Sequence, residues 1–405
     1  MSTAIASADR TAEPQNRSPL RDWLAVISVM MGIFSIVTTE ILPIGLLTSI
    51  GSDFTISDGM AGLMMTMPGL LAAVSAPLVT VATARCERRL MLYAFMLVLA
   101  LANFLAAVAE TYWLMLVSRV MVGVTIGGFW SIGAGLAGRL VPPASVGRAT
   151  SVIFAAVPLG SVLGVPVGTY IGDIAGWRTA CAVMGVLAVG VLVAMMLVLP
   201  PLPVTQATRL DGLRTLTRNV NTRYALLMTF LIVMAHFGAY TYVTPFLEQV
   251  TQVSPGLITV FLLTYGAAGI VGNFAGGSAV TRHPRATFGI TAAMISSATL
   301  LLPVLGRSDI GAVTLLTIWG AAYGAVPVCT QTWFAKAAPH LPEAASVLFT
   351  ASFQLTLSLG ALAGGVVVDH TSPATVMTLG GATAALVVLT VSVHRAKRLT
   401  WTEGA

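Results

Sequence analysis

Twelve stretches of about 20 mostly apolar residues, the length that carries an α-helix across a hydrocarbon layer, fill most of this chain. They fall at about 23–48, 59–82, 90–109, 111–138, 149–172, 177–199, 224–248, 255–280, 287–306, 310–335, 344–368 and 373–393. A bilayer offers no partners to bare peptide groups, so such stretches must be helices that satisfy their own backbone. Charge is correspondingly scarce: Lys and Arg number 21 and Asp and Glu 15, or 9% of 405 residues, against about 25% in an average soluble domain. Soluble enzymes and disordered chains are excluded on this ground. The net charge of +6 is scattered between apolar runs, with no basic stripe to track nucleic-acid phosphates.

The placement of the basic residues orients the spans. With a cytoplasmic N-terminus, 18 of the 21 Lys and Arg fall on the cytoplasmic side, including Arg85, Arg88 and Arg89; Arg178 and Arg307 fall outside, and Arg119 lies within a span. This is the positive-inside bias, and a missing or extra helix would scramble it. Residues 1–22 are polar and lack the apolar segment of a cleavable signal. The expected organisation is a cytoplasmic tail at 1–22, a six-helix bundle at 23–199, a cytoplasmic linker at 200–221, a second bundle at 222–393 and a cytoplasmic tail at 394–405. Both termini are expected in the cytoplasm, in a multi-pass protein of the inner membrane.

The halves echo one another. Ser57, Gly59 and Gly69 match Ser254, Gly256 and Gly266 at an offset of 197, and Gly168, Asp173 and Gly185 match Gly364, Asp369 and Gly381 at 196. The expected fold class is therefore an all-α membrane protein with twelve transmembrane helices in two pseudo-symmetric six-helix bundles. A 6+6 repeat of this kind leads to the expectation of a transporter, with its solute site near the midplane between the bundles.

Several motifs carry a family resemblance: Thr39 to Leu47 in the first helix; Arg85, Cys86, Glu87, Arg88 and Arg89 after the second; Arg119, Gly123 and Gly127-Gly128-Phe129-Trp130 in the fourth; Gly164-Val165-Pro166-Val167-Gly168 in the fifth; and Gly176-Trp177-Arg178 before the sixth. Over residues 20–395 the chain resembles the major facilitator superfamily, within it the drug:proton antiporter group, which includes sugar and purine ribonucleoside efflux transporters. The local likeness to the purine ribonucleoside members lies in Gly127 to Pro143 and in Trp319-Gly320, Val326-Pro327-Val328 and Gln331-Thr332-Trp333. The resemblance implies proton-coupled efflux by alternating access, with sugar or multidrug efflux as the alternative, then proton-coupled uptake, and last a membrane sensor or embedded enzyme. The family loop Gly-x-x-x-Asp-Arg-x-Gly-Arg-Arg is altered: Thr80, Ala84 and Glu87 stand at its first Gly, Asp and second Gly positions. Its Asp-to-helix contact is thus either missing or replaced, with Glu87 as the substitute.

Glu40 is the acidic residue placed within a span rather than at its edge, and Arg119 is its basic counterpart. Buried charge in a bilayer is costly enough to mark function by default. A carboxyl that desolvation keeps near neutrality suits a proton carrier, against the alternative of a carboxylate wetted at the helix end. Arg119 should face the bundle interior and bond a carbonyl or carboxylate, with Glu40 reached through water or the first-helix backbone; the resemblance adds a part in proton coupling. Gly160, Gly164, Gly168 and Gly172 share one face of helix five, interleaved with Pro158 and Pro166, a surface for close helix contact. The resemblance implies that this face seals against the opposite bundle, as in antiporters.

Candidate solute contacts are His236, Tyr240 and Tyr242 in helix seven, Asn273 in helix eight, Gln331 and Trp333 in helix ten, Gln354 in helix eleven, and Trp130 with Phe129 in helix four. Together they offer the aromatic walls and few polar groups of a ligand site, although each equally suits an interhelical hydrogen bond. His236 is also placed to share proton duty. No phosphate-binding Gly-Lys-Ser/Thr loop, HExxH pair or paired membrane aspartates occur, so neither ATP hydrolysis nor intramembrane proteolysis is indicated. Cys86, Cys181 and Cys329 are far apart and suggest no disulfide or metal site. The expected partners are a small solute, protons and the lipid bilayer, with no cofactor or nucleic acid, and a monomer is expected to suffice.

Overall fold

The computed structural model describes residues 19–82, 86–133, 136–203, 218–337 and 342–393. Arg85, residues 1–18 and 394–405 of the expected tails and most of the expected linker lie outside them. Twelve apolar helices span the molecule: α1 (Pro19–Asp53), α2 (Asp58–Val79), α3 (Arg88–Ala107), α4 (Tyr112–Gly133), α5 (Arg148–Ala175), α6 (Trp177–Val198), α7 (Val220–Tyr240), α8 (Pro255–Val280), α9 (Pro284–Leu305), α10 (Asp309–Phe334), α11 (Val347–His370) and α12 (Pro373–Val391). Even-numbered alternation puts the start of α1 and the end of α12 on one face, here the terminal face; the other is the distal face. Large apolar side chains such as Val186, Phe274 and Leu389 point outward, as a helix against lipid requires. Twelve apolar spans and no strand among the described residues make this an integral, multi-pass membrane fold.

Each half has its own core. Ile33, Phe95, Ile126 and Phe129 pack together in the first, and Ile232, Phe261, Phe288 and Trp319 in the second. The sequence echo is also an echo of contacts. A Cβ on Gly123 or Gly127 of α4 would strike the Pro68 or Ala72 carbonyl of α2; one on Gly320 or Gly324 of α10 would strike Tyr265 or Gly269 of α8, 197 residues on in every case. Gly164 and Gly168 of α5 lie on Thr38 and Leu42 of α1, while Gly360 and Gly364 of α11 lie on Met234 and Gly238 of α7, an offset of 196. Small residues let backbones approach closely where no hydrophobic drive exists between helices. The halves meet where α2 packs along α11 and α5 along α8.

These contacts correct one expectation. The glycine face formed by Gly160, Gly164 and Gly168 turns toward Val37, Thr38 and Leu42 of α1, in its own half, not toward the opposite bundle. Spacing identifies a smooth face but not the helix that fills it. Within α5, residues Gly160–Gly164 widen into a π turn; Pro166 has no N–H to give the Val162 carbonyl, and a wider turn accommodates the lost bond.

Helix bounds differ in three places. α1 extends beyond the expected 23–48, and the helix expected to run to 138 is interrupted by Leu136, which lies outside any helix. The helix expected at 224–248 ends at Tyr240, so Tyr242 lies beyond it, followed by a short helix at Val243–Phe246 and a π turn at Leu247–Thr251. Pro245 cannot donate to the Thr241 carbonyl, which favours the break.

Near the terminal face, Glu87 Oε1 pairs with Arg89 Nε at 3.3 Å and accepts from the Leu202 amide at 3.3 Å. The Arg88 amide donates to the Leu202 carbonyl at 3.1 Å, and Arg139 donates to that of Pro203 at 2.5 Å. Glu87 thus holds the segment after α6 in its own half.

Candidate functional site

The buried polar centre of the first half begins with a proline. Pro43 sits inside α1 and cannot donate to the carbonyl four residues back, at Thr39. Arg119 of α4 fills the gap: its Nη1 donates to the Thr39 carbonyl at 2.9 Å. Asn103 of α3 joins them, donating from Nδ2 to Thr39 Oγ1 at 3.1 Å and to the Leu99 carbonyl at 2.9 Å. Arg119 is 1% exposed. A guanidinium is tolerated at that depth only when it faces protein and bonds it.

Glu40 is the next residue along α1 and is 7% exposed. Its Oε1 accepts a hydrogen bond from Gln354 Nε2 of α11 at 2.7 Å, so its partner belongs to the other half. Glu40 and Arg119 do not form an ion pair; among the described residues the salt bridges are Arg89–Glu87 and Arg178–Asp53. They are linked through the α1 backbone, Arg119 holding the peptide immediately before Glu40.

From this point the halves are tied together toward the distal face. Thr244 Oγ1 donates to the Ile44 carbonyl at 2.8 Å, Thr48 Oγ1 to Glu248 at 2.9 Å and Gln249 Nε2 to Asp58 at 3.2 Å. Burial holds the Glu248 carboxyl above the usual carboxylate range, against the opposing effect of the Thr48 hydrogen bond.

The second half carries rings where the first carries charge. His236 of α7 is fully buried, and its Nδ1 accepts from Trp319 Nε1 of α10 at 3.1 Å. Tyr323, one turn further along α10, stacks on the imidazole with centroids 3.4 Å apart and planes 6° from parallel. Tyr240 stacks on His236 at 5.1 Å and on Tyr265 of α8 at 4.4 Å. Phe237 meets Tyr323 edge-on and Phe353 of α11 likewise, which places this box next to Gln354 in the chain. His236 Nε2 and the Tyr265 hydroxyl are buried without a hydrogen-bond partner.

The remaining sequence candidates scatter. Tyr242 donates to the Ala361 carbonyl at 2.8 Å and so braces the segment just after α7 on α11. Trp333 packs on Tyr224 and Phe288, and Trp130 on Phe154, each within its own half. Phe129 is buried in the core of the first half. Asn273 and Gln331 are half-buried and make no side-chain hydrogen bond among the described residues. Sequence reasoning missed Tyr265, Trp319 and Tyr323 as one constellation with His236. The Trp319 and Tyr323 spacing of four residues was the available signal, since such pairs share a helix face.

Twelve spans in two repeated halves, with a buried carboxylate at their junction, define a membrane transporter, and residues 23–360 match the sequence profile of the Major Facilitator Superfamily; the chain belongs to that family. Among curated proteins it is 29% identical over 374 residues to the purine ribonucleoside efflux pump NepI of Escherichia coli O6:K15:H31 (strain 536 / UPEC), covering 92% of this chain and 94% of that one. Among solved structures it resembles a bacterial homolog of the human lysosomal transporter Spinster in an inward-facing and occupied conformation, with a TM-score of 0.73 at 16% identity, covering 93% of this chain and 96% of that one. It also resembles the human organic anion transporter MFSD10 (TETRAN), with a TM-score of 0.67 at 16% identity, over 93% and 100% of the two chains.

Proposed function

We propose that the protein is a proton-coupled antiporter that exports a small organic solute by alternating access, with Glu40 as the proton carrier. The observation that carries this reading is the Glu40–Gln354 bond, which makes one buried ionisable group part of the contact between the halves. An ionised Glu40 holds Gln354 by a charge-assisted bond, stronger than the bond to a neutral carboxyl. The empty, unprotonated carrier therefore stays shut on the distal side. A solute that takes the Gln354 amide releases α11 from α1 and allows distal opening; a proton that neutralises Glu40 there prepares the return. Arg119 is a positioning residue, fixing the peptide before Glu40.

A planar heteroaromatic solute, a purine nucleoside first among them, suits the exposed side of Tyr323 and the neighbouring Phe353, which are half-buried while His236 behind them is enclosed. Stacking on such rings favours flat solutes, and the efflux pump relative supports the same class. The reading places both termini and the terminal face in the cytoplasm of a cell whose inner membrane holds the protein, working as a monomer.

Inverted membrane vesicles test it. Acidifying the lumen should drive accumulation of labelled purine nucleoside, and Glu40→Gln should abolish the proton-driven component. Accumulation that survives Glu40→Gln undiminished overturns the role given to Glu40.

A further inference from the structure

Asp369 and Asp173 occupy equivalent places at the distal ends of α11 and α5, 196 residues apart, in helices whose glycine contacts repeat at the same offset. Asp369 is engaged. It accepts from Ser57 Oγ at 2.6 Å and from the Gly59 amide at 2.8 Å, at the first turn of α2 in the opposite half. A helix start presents unpaired amides and the positive end of its dipole, so a carboxylate is well matched there. The fit is close: a Cβ on Gly59 would collide with the Asp369 carboxylate and the Gly365 carbonyl.

The mirror-image parts exist and are disengaged. Ser254 and Gly256, the counterparts of Ser57 and Gly59, open α8. Ser254 makes no side-chain capping bond, and nothing lies within 4 Å of where a Gly256 Cβ would stand. Asp173 and Pro255 lie on the wall of one cavity of about 440 Å³ between α1, α5, α8 and the segment that follows α7, together with Thr169. The same carboxylate, serine and glycine thus form a closed contact on one side of the pseudo-twofold axis, while on the other the carboxylate lines an open space and the serine and glycine at the start of α8 stay unengaged.

We propose that Asp369 and Asp173 are paired latches of the distal gate, closing in two stages: α11 onto α2 first, as captured here, and α5 onto α8 second, when Asp173 reaches Ser254 and the Gly256 amide and the cavity between them collapses. The device rests on the alternating-access reading but needs neither a particular solute nor a proton on Glu40.

Thr169 reports on it, being buried and lining the cavity. In the full-length protein with Cys86, Cys181 and Cys329 replaced by alanine, the rate at which Thr169→Cys reacts with a maleimide is measured in nanodiscs, without solute or proton gradient. Asp369→Ala and Asp173→Ala should each raise that rate about fivefold, the scale of a lost helix cap, and the double variant should exceed either. Ser57→Ala and Ser254→Ala remove the opposite partners and should act in the same direction, which keeps the test open if an aspartate variant misfolds. A parent-like rate in Asp173→Ala and Ser254→Ala overturns the second latch, and parent-like rates throughout overturn the gate. Either result leaves the vesicle test of Glu40 untouched, and failure of that test leaves the labelling result standing.

Discussion

Glu40 and His236 stand 196 residues apart, at equivalent positions of α1 and α7, as the flanking pairs Thr38/Met234 and Leu42/Gly238 show. Their surroundings have diverged completely. Glu40 reaches out of its half to Gln354, with Arg119 securing the backbone beside it. His236 turns inward, bonded to Trp319 and faced by Tyr323 within its own half. A repeated scaffold fixes where helices cross while leaving the buried positions free to specialise. One copy suits the handling of charge, the other the recognition of rings.

The comparison breaks most visibly at Arg119. Arg119→Leu strands the Thr39 carbonyl that Pro43 cannot serve, a loss of about 1–3 kcal/mol for an unsatisfied buried group. Thermal unfolding followed by tryptophan fluorescence should show a clear drop in midpoint, together with lost transport, and Arg119→Lys should recover part of both. An unchanged midpoint would remove Arg119 from the first site. Of intermediate size is Tyr323→Ala, which takes one face from the aromatic box, about 0.5–1.5 kcal/mol beyond simple burial. The solute concentration for half-maximal vesicle uptake should rise roughly three- to tenfold while its dependence on luminal pH stays as before; a shifted pH dependence would merge the two sites.

The smallest effect lies outside both sites. Because burial raises the Glu248 carboxyl with the α11–α2 latch closed, a state that exposes it to water binds fewer protons. The closed state is favoured as pH falls and loses that advantage as pH rises through the raised value. Maleimide labelling of Thr169→Cys should therefore quicken modestly with pH, by about twofold after allowance for the reagent's own pH response. Glu248→Gln should flatten the trend. A slope that persists in that variant would assign the titration elsewhere.

Residues far apart in sequence became legible where physics leaves few choices. Twelve apolar runs cannot be much besides twelve spans, and Glu40 and Arg119 stood out because charge inside them is costly. Even the partner of Arg119 was within reach, since Pro43 announces a free carbonyl four residues earlier. The glycines of α5 showed a face but not its neighbour, because spacing is a property of one helix and contact a property of two. The aromatic box was hidden for the same reason: His236, Tyr265 and Trp319 come from three helices, and only the register between α7, α8 and α10 brings their rings together. That Gln354 bonds Glu40 was not legible, because nothing along α11 points to a residue 314 positions away.

The grip on Leu202 and Pro203 has a mechanical side. Held by Glu87, the Arg88 backbone and Arg139, the chain departs from the first half beside the foot of α3 and not from the free end of α6. A pull arriving from the second half is therefore delivered to an anchorage braced against two segments, and α6 is spared the bending moment that an untethered end would transmit.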